Sequence, residues 1–126
     1  MDPVISNKDA RAIFLASHQL ASAPTGAATG PALNDLINSI GFVQVDSINT
    51  VERAHHMILW ARRKSYRPEG LKRLLERDRT LFEHWTHDAS VLPVGLFPYW
   101  KHRFVRDSDR LHQNWKRWLR DGYEAQ

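Results

Sequence analysis

Three features of the sequence predict a mainly helical fold with a small β component. Apolar residues recur at helical spacing in several separate segments, each with a start or stop signal nearby. Strand character is confined to residues 42–48 and 81–92. The 126 residues, 42% hydrophobic and 25% charged, suit one ordinary domain, or one domain plus a tail.

Ser6 predicts the cap of a first helix over 7–19, with Asp9 three residues on as the acidic partner of a capping box. Ala10, Ile13, Phe14 and Leu20 form its apolar stripe. Residues 21–30, ASAPTGAATG, are small and breaker-rich and read as a loop. Pro31 suits the first turn of a second helix, Leu33, Leu36, Ile37 and Ile40 supply its stripe, and Gly41 ends it.

Residues 42–48, FVQVDSI, read as a strand with Gln44 and Asp46 projecting from one face. Asn49 or Thr50 predicts the cap of a third helix with Val51, Ala54, Ile58 and Ala61 inward. Its basic end, Arg62, Arg63 and Lys64, complements the helix dipole. Pro68 opens a fourth helix containing Leu71, Leu74 and Leu75. The stretch 81–92 reads as one or two strands, broken by Pro93 and Gly95. Residues 96–106 are aromatic and basic without one clear period. Ser108 then caps a last helix with the stripe Leu111, Trp115, Trp118 and Leu119, ended by Gly122. The order is compatible with a helix-turn-helix domain bearing a β wing.

Charge divides the chain. Residues 1–52 hold two basic residues against five acids, a net of −3; residues 53–126 hold sixteen against nine, a net of +7. Eleven of the thirteen aromatics fall in the second part. A basic, aromatic-rich half suits a polyanion. The chain has no cysteine, which excludes disulfides, thiolate zinc sites and cysteine nucleophiles. No apolar run is long enough for a membrane span and the N-terminus does not resemble a secretory signal, so the expectation is a cytoplasmic, nucleoid-associated protein.

Four constellations bear on chemistry. Gln44 and Asp46 on one strand face could hold and activate a water, the carboxylate taking its proton and the amide carbonyl orienting it. Spacing alone favours a polar strand end and turn. His55–His56 and His84/His87 lack the i, i+4 geometry of a helical zinc pair, so no metal is expected and DNA contacts or structural hydrogen bonds are favoured. Trp100, Lys101, His102, Arg103, Phe104 and Arg106 interleave charge and ring, as stacking on bases and phosphate contact require, although core packing also accounts for many rings. No phosphate-cradling glycine loop and no serine-hydrolase elbow is present.

The run GFVQVDSINTVERAHHMILWARR (41–63), with LFEHWTHDASVLPV (81–94) and the following FPYWKHR, closely resembles the winged-helix DNA glycosylases of the YcaQ type. Those bacterial proteins unhook alkylated and interstrand-crosslinked bases. The resemblance covers most of 36–106. It implies tandem winged-helix modules, double-stranded DNA with alkylated or crosslinked bases as partner, and hydrolysis of the N-glycosidic bond to an N7-alkylated purine without a cofactor. The family's catalytic Gln-x-Asp motif falls on Gln44 and Asp46.

Members are typically much longer. The chain is therefore read as an N-terminal portion: a winged-helix domain over 1–95, and a basic aromatic extension over 96–126 that opens the next module. Arg53, His55, His56, Arg62, Arg63, His84, His87, Lys101 and Arg103 are the expected DNA contacts. A non-catalytic winged-helix DNA-binding module remains the alternative to the enzyme.

Overall fold

A computed structural model describes residues 4–118, with side chains as far as Trp115. The chain divides into two compact units, Met1–Val94 and Gly95–Gln126. The first holds α1 (Asn7–Ser17), α2 (Gly30–Ile40), β1 (Val43–Gln44), α3 (Ala54–Arg62), α4 (Pro68–Glu76), β2 (Leu81–Trp85) and β3 (Ala89–Pro93). A 3-10 turn, Val94–Leu96, precedes α5 (Phe97–Trp118).

The strands form one antiparallel sheet in the order β1-β3-β2. Helix, strand, two helices and a hairpin, with the short first strand pairing the last, is an arrangement compatible with a winged helix. The core gathers Leu33 and Ile37 from α2, Val43 from β1, Leu59 from α3, Leu74 from α4 and Val91 from β3. These side chains are at most 2% exposed.

Several local signals act as expected. The Ser6 hydroxyl accepts from the Asp9 backbone N–H at 3.1 Å and donates to the Asp9 carboxylate at 2.6 Å. Gly41 ends α2 at φ +87°, a backbone conformation that a side chain disfavours, and its N–H returns to the Ile37 carbonyl at 3.0 Å. Pro31 and Pro68 occupy the first turns of α2 and α4, where a missing N–H costs nothing.

Other expectations are corrected. Helix α1 stops at Ser17 because Gln19 adopts φ +57°, and it buries no residue; Ile13 and Phe14 of its expected stripe stay exposed. The first strand shrinks from seven residues to two. Its ladder ends once Val45 N–H has reached the Ala89 carbonyl at 2.8 Å, because the partner strand turns away there.

Helix α3 starts at Ala54 with Arg53 as its cap, leaving Asn49 and Thr50 unused and Val51 88% exposed. Its buried face is His55, Leu59 and Arg62, not Val51, Ala54 and Ala61. The stretch 81–92 is a hairpin turning through Thr86, His87 and Asp88.

The second unit also departs from expectation. Phe97–Trp118 is one continuous helix with Ser108 in its interior rather than at a cap. Trp100, Arg103, Phe104 and Asp107 are its half-buried positions, a helical period that the interspersed charges mask in the sequence. Phe97 and Phe104 contact at 5.2 Å between ring centroids. Leu111 and Trp115 are more than half exposed. The side chain of Trp118, and Leu119 and Gly122, lie outside the described residues.

Candidate active site

The Gln-x-Asp segment leaves the sheet between its two polar residues. Val43 is buried in the core and Val45 packs against it, so the valines face the helices. Gln44 lies on the opposite sheet face, in cross-strand register with Ser90, which is itself in register with His84. Residues in register share a face, so Gln44, Ser90 and His84 form one row.

Beyond Val45 the chain is no longer paired, and Asp46 is set by other bonds. Its backbone N–H donates to His55 Nδ1 at 3.4 Å, and its Oδ1 accepts the Ile48 N–H at 2.8 Å in a local turn. The turn reading of the motif thus has a counterpart in the structure. The turn occupies one carboxylate oxygen. Among the described residues, Oδ2 accepts no hydrogen bond.

Gln44 is held from the hairpin. Its Nε2 donates to Asp88 Oδ2 at 3.2 Å, across 44 residues of sequence. A carboxylate only accepts, so the amide nitrogen must face Asp88 and the carbonyl oxygen must face away from it. Two acceptor oxygens, Gln44 Oε1 and Asp46 Oδ2, are therefore available two residues apart at the end of a fixed strand. That is the equipment for holding a water and facing a developing cation.

The adjacent histidines have different tasks. His55 is 6% exposed. Burial lowers its pKa below the ordinary 6.5, with His56 and Arg53 adding to the effect and Glu52 and Asp46 opposing it. A neutral ring is what the bond from Asp46 requires, since Nδ1 must be unprotonated to accept. His56 Nδ1 meets the Tyr66 hydroxyl at 2.7 Å. Burial, with smaller contributions from Glu52 and Glu69, pushes the Tyr66 pKa upward, so the phenol keeps its proton, and the His56 tautomer sets which of the two donates.

Two clefts flank α3. One of about 310 Å³ is lined by Val45, Arg53, His55, His56, Glu83 and residues of α4. The other, about 350 Å³ and mostly apolar, is lined by Val51, Met57, Trp60 and Tyr66 among others. Neither includes Gln44 or Asp46 in its walls; Val45 and Glu83 place the first on the core side of the sheet.

The expected DNA contacts separate into groups. His55 touches the motif through Asp46, and His87 lies at the hairpin tip, edge-on to Phe42 at 5.8 Å. His87 sits in the turn rather than in a strand, so face alternation does not apply to it. His84 shares the sheet face of Gln44. Arg53 is exposed at the start of α3.

Arg62 is 9% exposed; its guanidinium donates to the His18 and Ile58 carbonyls, both at 2.8 Å, and ties α3 to the end of α1. Arg63 lies against Gly26 in the loop before α2. In the second unit Lys101 is exposed and Arg103 is half-buried, 5.8 Å from the Trp100 ring.

Sequence reasoning missed Asp88 and Tyr66. The signal for Asp88 was THDAS between two strand-like runs, a turn composition. For Tyr66 there was none beyond its ring.

No group of three or more histidine, aspartate or glutamate side chains able to hold a metal occurs among the described residues. No described helix is long and apolar enough to cross a membrane. No solved structure matches the chain. A family model described as DNA glycosylase AlkZ-like matches residues 37–126, from within α2 through β1, both following helices, the hairpin and α5. A match over well more than half the chain, containing Gln44, Asp46 and the hairpin that holds Gln44, places this protein in the AlkZ-like DNA glycosylase family.

Proposed function

We propose that the chain hydrolyses the N-glycosidic bond of N7-alkylated purines in double-stranded DNA, crosslinked purines included. The observation that carries the reading is the family match across 37–126 together with the two acceptor oxygens at the end of β1. An N7-alkylated purine is already cationic, so the base needs no protonation before it leaves. As the bond from the sugar to the base breaks, its electron pair neutralises the base and positive charge develops on the sugar. The Asp46 carboxylate stabilises that charge. A water oriented by Gln44 Oε1 bonds to the sugar carbon, and its proton passes to Asp46 or to solvent.

Under this reading 1–95 is the catalytic winged-helix module and 96–126 leads into a second one in a tandem array. Arg53, His84, His87 and Lys101 contact DNA. Arg62 is left out of that face because carbonyl oxygens hold its guanidinium. The protein acts in the cytoplasm, on the nucleoid. Single-turnover release of N7-methylguanine from an alkylated duplex tests the reading. Release by the wild type and its loss in Asp46→Asn are expected. No release, with salt-dependent duplex binding intact, would leave the non-catalytic DNA-binding module.

A further inference from the structure

The hairpin turn is built around Asp88 more tightly than a connection between two strands requires. The Asp88 carbonyl accepts the Thr86 N–H at 2.9 Å, the Thr86 hydroxyl at 3.3 Å and the Ser90 hydroxyl at 3.0 Å. The Thr86 and Ser90 hydroxyls are also 2.9 Å apart, so one of them can donate to the other in place of the carbonyl. Ser90 is 1% exposed and Thr86 and Asp88 are half-buried, so this network is partly screened from water. The Asp88 carboxylate is fixed at both oxygens. Oδ1 accepts the Ala89 N–H at 2.7 Å, and Oδ2 accepts from Gln44 Nε2. The register Gln44↔Ser90 brings the Gln44 side chain to this turn.

From this geometry we infer that Asp88 is a positioning residue for base excision, acting through Gln44; the inference rests on the glycosylase reading above. An unrestrained glutamine amide presents its carbonyl or its NH₂ group to a water with little preference, and only the carbonyl can accept the water's proton in a hydrogen bond. Asp88 removes the choice. It captures the NH₂ group, so Oε1 is the atom left to orient the water, and it also immobilises a side chain that otherwise loses rotamer freedom in the reaction. The wing thus takes part in the chemistry through the wing-tip carboxylate, and its role is not confined to the DNA backbone.

The test has two independent readouts. The first is side-chain amide NMR of the full chain. The Gln44 NH₂ resonances are expected to shift and to exchange faster with solvent in Asp88→Ala, with the Gln44→Ala spectrum giving their assignment. Unchanged resonances would overturn the pairing whether or not the protein is active. The second is single-turnover excision on an N7-methylguanine duplex, with duplex affinity measured in parallel.

Asp88→Ala is expected to slow excision by roughly tenfold to a hundredfold while affinity changes less than about threefold. Asp88→Asn, whose amide offers an oxygen as well as an NH₂ group, is expected to fall between Asp88→Ala and wild type. In the Gln44→Ala background the Asp88 substitution is expected to cost nothing further, as two residues acting as one unit require. Additive losses, or a loss of affinity matching the loss of rate, would mean a structural or electrostatic role and overturn the proposal. A wild type without excision, but with Gln44 resonances that respond to Asp88→Ala, would refute the glycosylase reading, and the catalytic role with it, and leave only the pairing.

Discussion

At the scale of single residues, one of the groups that hold the motif, His55, is itself buried. Asp46 N–H depends on a neutral His55, whose pKa lies below 6.5. In the unfolded chain that ring takes its proton near pH 6.5, while in the folded chain it does so only at lower pH. Between those two values the unfolded state binds more protons. Stability is therefore expected to fall as pH drops below about 6.5, and this residue adds no pH dependence above it. Urea midpoints at pH 7.5 and 5.5 check this: the decrease should be larger in wild type than in His55→Gln, which cannot take up a proton. Equal decreases would remove His55 as the cause.

Arg62 supplies a second residue-scale expectation. Its charged donors satisfy two carbonyls, so Arg62→Met should destabilise the fold by about 1–3 kcal/mol in equilibrium unfolding.

At the scale of elements, what was legible depended on whether a residue's type announced its environment. Ser6, Pro31, Gly41 and Pro68 mark helix ends because their backbones or hydroxyls suit few other places. Helix α3 was misread in register because its buried face mixes Leu59 with a histidine and an arginine, and apolar counting cannot class those as core. The two-residue length of β1 was invisible because it is set by where its partner strand turns, a property of residues more than forty positions away. Gln44 and Asp46 could be picked out as chemistry; that Asp88 grips Gln44 could not, since only the strand register brings them together. The register of α3 has its own check. Leu59→Ala, at a site with 0% exposure, should cost about 2–5 kcal/mol of stability, whereas Val51→Ala, at 88% exposure, should stay within about 0.5 kcal/mol of wild type.

At the scale of the whole molecule, the +7 balance of residues 53–126 is the feature that a polyanion meets. Duplex binding is expected to weaken steeply with salt, each phosphate contact adding close to one to the slope of log affinity against log salt concentration. Lys101→Ala should lower that slope by about one, and Arg103→Ala by less, since its guanidinium sits half-buried near Trp100. An unchanged slope in both variants would take α5 out of the DNA face.

The central claim concerns the two acidic and amide oxygens at the end of β1, and single-turnover excision of N7-methylguanine from duplex DNA tests it most directly. Asp46→Asn keeps the side chain's shape and its turn-forming oxygen but removes the charge that the proposed mechanism sets against the sugar cation. The account predicts release by wild type and a loss of about 100-fold or more in the variant, with duplex affinity retained. Release at the same rate by both proteins would contradict it.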